Sequence, residues 1–163
     1  MQNATDKFAM REAAITDIPQ LCELLGLLFA QEADFQPDAR KQASGLRLIL
    51  EQPDVGRVYC ATEENKVIGM VSILFTVSTA EGGRAAWLED LVVHPTRRGQ
   101  HVGQRLLQQA IRGARAAGCR RITLLTDATN NPAMRLYKQS NFIRSRMVPF
   151  RLGLQAENLN RAA

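Results

Sequence analysis

The period of the apolar positions changes several times along the chain, and each change marks an element boundary. Phe8 to Ala13 can open an edge strand, whereas Leu21, Leu24, Leu25 and Leu28 recur at helical spacing. Asp17 reads as the N-cap of that helix, with Pro19 in its first turn, where a missing N–H costs nothing. A polar loop, Phe29 to Pro37, leads to a second helix predicted over Asp38 to Glu51. Val55 to Ser78 holds two strand-like runs divided at Glu64-Asn65, and because Asn tolerates a positive φ the pattern predicts a hairpin. Gly82-Gly83-Arg84 breaks it, and a new strand runs from Ala85 to His94, stopped by Pro95.

Helical spacing returns from Val102 through Leu106, Leu107, Ala110, Ile111 and Ala114, with Gly118 placed to close the helix. Arg121 to Asp127 reads as a further strand. Asn130 then caps a helix with Pro132 near its start and a stripe of Ala133, Leu136 and Tyr137. Met147 to Leu154 is predicted to return as a last strand, and Gln155 to Ala163 is polar enough to fray.

This alternation has no internal repeat and no low-complexity linker, so it predicts one α/β domain over residues 1–163 with its core at about 8–154. At 163 residues the chain can bury a core without disulfides or metal. Cys22, Cys60 and Cys119 are scattered, with no C-x-x-C and no paired histidines. That pattern disfavours a disulfide framework and a zinc site and favours a reducing cytoplasm. No leader-like start is visible, and no apolar run approaches the roughly 20 residues of a membrane span. The formal charge of +5 admits an anionic partner: nucleic acid, a membrane surface or a phosphorylated cofactor. Arg112, Arg115, Arg120 and Arg121 read as a solvated helix face and helix end, because no aromatic residues interleave with them for base stacking.

Between the strand ending at His94 and the helix starting at Val102 lies a basic, glycine-containing stretch, Arg97-Arg98-Gly99-Gln100-His101-Val102-Gly103. Helix N-terminal N–H groups and the positive end of the dipole converge there, and a glycine lets a phosphate approach them without a Cβ in the way. Neither common nucleotide pattern fits. G-x-x-x-x-G-K-[ST] lacks its Lys and hydroxyl, and G-x-G-x-x-G is absent because Gly99 and Gly103 stand four apart. A softened strand-to-helix turn with solvated arginines is the alternative for the loop alone.

The flanks add specificity. LEDLVVHPTRRGQHVGQRLL resembles the acetyl-CoA-binding core of the GCN5-related N-acetyltransferase (GNAT) superfamily, whose loop pattern is Q/R-x-x-G-x-G/A. Arg98 matches its first position and Gly103 its last, while His101 stands where the central glycine is usual. NNPAMRLYKQSNF is similar to a second family motif at Asn130, Ala133, Tyr137 and Phe142, with Asn141 replacing a glycine. The resemblance implies a mixed, mostly antiparallel sheet with helices on both faces and a splayed central parallel strand pair. It also implies acetyl-CoA as co-substrate, without a metal. Arg98, Gly99, Gln100, His101, Val102, Gly103 and Gln104 would cradle its phosphates, and Leu91, Val92, Val93 and Asn130 would hold its pantetheine arm.

Acetyl transfer to an amine needs a base for the amine proton and a donor for the departing thiolate. Strict alternation places Trp87, Glu89, Leu91 and Val93 on one face. The string LED followed by an apolar run resembles the diamine and polyamine N-acetyltransferases, which implies Glu89 as the base, commonly through water. A surface ion pair is the alternative for Glu89, and Asp90 reads as structural on the opposite face. The family match implies Tyr137 as the general acid, although spacing alone also fits a Tyr in the helix stripe. Glu32, Asp34 and Phe35 form a candidate acceptor wall. The reading is an N-acetyltransferase acting on a small-molecule primary amine, with no membrane or nucleic-acid partner and a homodimer left open. A protein N-acetyltransferase and a catalytically silent CoA-binding module are the alternatives.

Overall fold

A computed structural model describes residues 7–32 and 34–154. Five strands form one sheet in the order β1 (Ala9–Glu12), β2 (Gly56–Glu63), β3 (Lys66–Ser78), β4 (Gly83–Val93) and β5 (Ile122–Leu124). All neighbours are antiparallel except β4 and β5. Helices α1 (Ile18–Phe29) and α2 (Ala39–Glu51) join β1 to β2, α3 (Val102–Ala116) joins β4 to β5, and α4 (Asn131–Gln139) follows β5. The hairpin between β2 and β3 turns where expected, with φ of 46° at Glu64 and 65° at Asn65. Two consecutive left-handed residues match the twist of the flanking strands.

The helices divide between the two sheet faces. Leu21, Leu24 and Leu25 of α1 and Leu46 of α2 pack with Val58, Cys60, Met70 and Val92. On the other face Val102, Leu106, Leu107 and Ala110 of α3 meet Tyr59, Val71, Ile73 and Leu88, and Leu136 and Tyr137 of α4 lie against the same cluster. A fully buried leucine contributes about 1.5–3 kcal/mol, so this double layer fixes the sheet between its helices. No helix among the described residues is long and apolar enough to cross a membrane.

Asp17 stands at the start of α1 but does not cap it with its side chain. Its carboxylate instead receives Arg11 at 2.6 and 2.9 Å and the Ala14 N–H at 2.7 Å. The Arg11 hydrogen bond holds the Asp17 carboxyl below its ordinary value and ties β1 to the start of α1. Asp38 does cap α2, accepting from the N–H groups of Arg40 and Lys41. At the expected break before β4 only Gly82, at φ +64°, leaves the extended conformation; Gly83 and Arg84 already pair with Ser78 and Val77.

Two further expectations are corrected. Met147 to Leu154 forms no strand, and Val148, Phe150, Leu152 and Leu154 are exposed. Alternation prepares a segment for a sheet, but a strand exists only where a neighbour takes its backbone groups. The parallel β4–β5 pair therefore lies at the edge of the described sheet. The tail expected to fray, 155–163, lies outside the described residues.

The other correction concerns β4. Val71 pairs with Leu91 and Ile73 with Leu88, so Glu89 and Asp90 together oppose Ser72. This bulge shifts the alternation by one residue. Leu88 shares a face with Leu91 and Val93, and the single face expected for Trp87, Glu89, Leu91 and Val93 does not form. Beyond Leu88 the parallel pairing stops, which leaves Glu89 to Val93 without a β5 partner.

Candidate active site

The end of β4 and the start of α3 enclose the first half of the site. A short helical turn, Pro95–Arg97, leads into Gly99 at φ +75° and His101 at φ +61°. A left-handed conformation costs a residue with a Cβ about 1–2 kcal/mol, so His101 occupies the usual glycine position at some strain. Its side chain does not cap α3; Nδ1 lies 3.1 Å from Gln104 Oε1. The first N–H groups of α3 have no acceptor within the helix and open beside the loop.

A cavity of about 300 Å³ lies there, lined by Val93, Arg97, Arg98, Gly99, His101, Val102, Gly103 and Gln104, with Leu136 and Gln139 of α4 opposite. A Cβ on Gly103 would make only ordinary contacts, 3.5 Å to Val93 Cγ2 and 3.8 Å to Leu136 Cδ2. Glycine at 103 is therefore not required by the protein's own packing, whereas it keeps the cavity floor low for a ligand. Arg98 Nε donates to the Val93 carbonyl at 3.3 Å, and Arg97 pairs with Glu63 through Nε at 2.8 Å. Gln100 does not line the cavity; its amide donates to the Thr96 carbonyl at 3.4 Å. Leu91 and Val93 are partly buried toward α3, and Val92 faces α1.

The second half is built on α4. Asn130 Oδ1 accepts from Ala133 N–H at 3.2 Å, and Pro132 follows in the first turn, so the cap sets the pitch that carries Tyr137. Asn141, at φ +66°, ends the helix in the left-handed conformation its family glycine would adopt. The Phe142 N–H then donates to the Tyr137 carbonyl at 3.0 Å, and the two rings lie 5.9 Å apart.

Burial raises the Tyr137 phenol above its ordinary value, and the charge of Glu32 adds to the rise. Glu32 is raised in turn by burial, then by Asp90 and Asp127, with Asp34 adding and Arg151 opposing. The bulge carries Asp90 inward, where burial pushes its carboxyl up to about 6, with Glu89 adding to the rise. Ser72 opposes it: Ser72 Oγ donates to Asp90 Oδ2 at 3.0 Å and accepts the Asp90 N–H at 3.2 Å. Four separate parts of the chain, the α1–α2 loop, β4, the β5–α4 loop and α4, thus place charges that act on Glu32 or on Tyr137. Glu89 is exposed on the bulge next to Asp90.

Of the loop residues read from sequence, Arg98, Gly99, His101, Val102, Gly103 and Gln104 line the cavity, whereas the interaction of Asp90 and Asp127 with Glu32 is not part of the sequence reading. The only sequence signal for Asp90 is its adjacency to Glu89, because the bulge that turns it inward leaves no mark in the alternation. Among the described residues, no group of three or more His, Cys, Asp or Glu side chains could hold a metal ion.

Known proteins resemble this chain in sequence and fold. The profile of the acetyltransferase (GNAT) family matches residues 18–142. An aminoalkylphosphonate N-acetyltransferase of Salmonella typhimurium is 30% identical over 138 residues, covering 82% of this chain and 86% of that protein. An IAA acetyltransferase of Azospirillum brasilense is 29% identical over 133 residues, 82% of this chain and 78% of that one. The crystal structure of an integron cassette protein from the mobile metagenome of Cole Harbour Salt Marsh superposes with a TM-score of 0.78 at 25% identity, covering 90% of both chains. With the family profile spanning most of the chain and a relative 30% identical over most of both lengths, the chain belongs to the acetyltransferase (GNAT) family.

Proposed function

We propose that the chain transfers the acetyl group of acetyl-CoA to a primary amine on a small molecule, by direct attack in a ternary complex. The observation that carries this reading is the cavity at the start of α3, beside the β4 edge that β5 leaves and facing α4, the helix of Tyr137; burial raises the Asp90 carboxyl to about 6 and the Tyr137 phenol above its usual value. One group of the pair suits taking a proton near neutral pH and the other suits giving one. The name of the Salmonella relative, an N-acetyltransferase of aminoalkylphosphonates, supports an amine acceptor.

The cavity fits a phosphorylated ligand, since Gly103 leaves room that a side chain would fill and the first turn of α3 lines it. Arg98, Gly99, His101, Val102, Gly103 and Gln104 would hold the phosphates, and Gln100 would brace the loop through Thr96. The edge of β4 from Leu91 to Val93, left by β5, would receive the pantetheine amides as an added strand, with Asn130 at its side. Bound acetyl-CoA supplies an activated thioester. Asp90, when ionised, accepts the proton the amine must lose. Tyr137 keeps its phenolic proton throughout the neutral range and donates it to the sulfur. Glu32, Asp34, Asp90 and Asp127 give the acceptor side a negative potential that draws in a cationic amine. The family resemblance carries the base role to Glu89, whereas burial and the coupling to Glu32 favour its neighbour Asp90.

A screen of amines, amino sugars and peptides for thiol release from acetyl-CoA tests the reading. Release with a small-molecule amine supports it, and release only with peptides would transfer the activity to protein N-acetylation. The cofactor site has its own test. Gly103→Glu is expected to abolish CoA binding by calorimetry, through bulk and negative charge beside the phosphates. Gly103→Ala, which meets no close contact, should keep the wild-type melting temperature or exceed it and still weaken CoA. Full CoA affinity in folded Gly103→Glu would place the cofactor elsewhere.

A further inference from the structure

The C-terminal stretch that forms no strand meets the rest of the protein at a charged point. Arg151 Nη1 donates to Asp34 Oδ2 at 2.5 Å, and its guanidinium carbon lies 5.0 Å from the centroid of the Phe35 ring. Phe35 is itself braced at 5.6 Å by Phe29, the last residue of α1. A carboxylate beside an aromatic face is a recognition unit for an organic cation. Here a cation of the same chain fills it. Its neighbours Phe150 and Leu152 are 95% and 80% exposed, so the Arg151 contacts hold this part of the segment where apolar packing does not. Arg151 also opposes the rise of Glu32, the carboxyl that acts on Tyr137, which puts the guanidinium within electrostatic reach of the acceptor side.

We propose that Met147 to Leu154 is a strap, and that Arg151 occupies a cation position on the α1–α2 loop which the charged end of an amine acceptor must take from it. The proposal rests on the acetyl-transfer reading for its consequence, a raised KM for acceptors that carry a second positive charge. In a diamine, one nitrogen would approach Asp90 and Tyr137 as the reacting amine. The other would stay protonated and compete with Arg151 for Asp34 and Phe35. Arg151 is then a selectivity residue and takes no part in proton transfer.

The test compares wild type, Arg151→Ala and Arg151→Lys with 1,4-diaminobutane and with 2-aminoethanol, which lacks the second charge. Removing an exposed ion pair and a cation–π contact is expected to lower the diamine KM about three- to tenfold in Arg151→Ala. Arg151→Lys should stay near wild type, and saturated turnover, the KM for acetyl-CoA and the KM for 2-aminoethanol should change by less than about twofold. Calorimetric titration of 1,4-diaminobutane into the CoA-bound protein gives a readout independent of turnover, with the same tightening expected. Equal or weaker diamine affinity in Arg151→Ala, or no diamine binding to either protein, overturns the strap. Tightened binding without acetyl transfer would overturn the catalytic reading and leave the strap standing.

Discussion

Asp90→Asn is expected to lower turnover by about two to four powers of ten, the range for loss of a positioned base, while making the fold more stable at pH 8. Both effects come from the same burial. The Asp90 carboxyl, raised from 3.8 to about 6, is favoured in its neutral form by the folded state. Its contribution to stability is fully present below about pH 4 and is lost as pH rises through 6, where the buried group must ionise. A difference of roughly two units corresponds to about 3 kcal/mol at most, so at pH 8 the neutral Asn should gain about 1–3 kcal/mol. Asn retains an oxygen for the Ser72 hydroxyl, so that hydrogen bond survives. The acidic limb of the wild-type pH–rate profile should fall near pH 6 and be absent in Asp90→Asn. The matching variant Glu89→Gln separates the two carboxylates. If Glu89 is the base, Glu89→Gln loses turnover and Asp90→Asn keeps it; if Glu89 only attracts the acceptor, its variant raises the acceptor KM and leaves saturated turnover intact.

Tyr137→Phe is expected to reduce turnover by about one to three powers of ten, with little change in melting temperature. The ring would keep its contacts with Phe142 and the α3 cluster, and only the hydroxyl is removed. Because burial and Glu32 raise the phenol above its usual value, wild-type Tyr137 stays protonated over the whole range in which the amine reacts. Its loss should therefore lower the rate at every pH between about 6 and 9 without moving the acidic limb. Steady-state kinetics of the folded variant checks this. Equal turnover in the two proteins would assign Tyr137 to packing alone.

What the sequence revealed follows from how local each cause is. The turn at Glu64-Asn65, the Asn130 cap and the left-handed Asn141 are set by residues within one turn of each other, and each appears where read. The glycine loop is likewise local, since Gly99 and Gly103 differ from their neighbours in lacking a Cβ. The bulge is not. It depends on Ser72 of β3 facing two residues of β4, and no periodicity within Ala85–Val93 records which pair slips. That is why alternation alone puts Glu89 on one face with Leu91 and Val93, a face the bulge breaks up. Glu32 is visible as one acid in a polar loop, but its interaction with Asp90, Asp127 and Tyr137 arises only when the α1–α2 loop, β4, the β5–α4 loop and α4 come together. Met147–Leu154 shows the reverse failure, a correct local alternation without the neighbouring strand that would use it.

The central claim is that one amine takes one acetyl group directly from acetyl-CoA on this chain. A single-turnover experiment tests it most directly, with the protein mixed with acetyl-CoA labelled in its acetyl group, with and without an amine that scored in the thiol-release screen, and all species followed by mass spectrometry. Without amine the label should stay on CoA and the protein remain unlabelled. With amine, labelled N-acetyl product and free CoA should appear together, one for one. Label accumulating on the protein would contradict direct transfer. Saturated acetyl-CoA binding with no product from any amine would contradict the enzyme itself and leave a CoA-binding module.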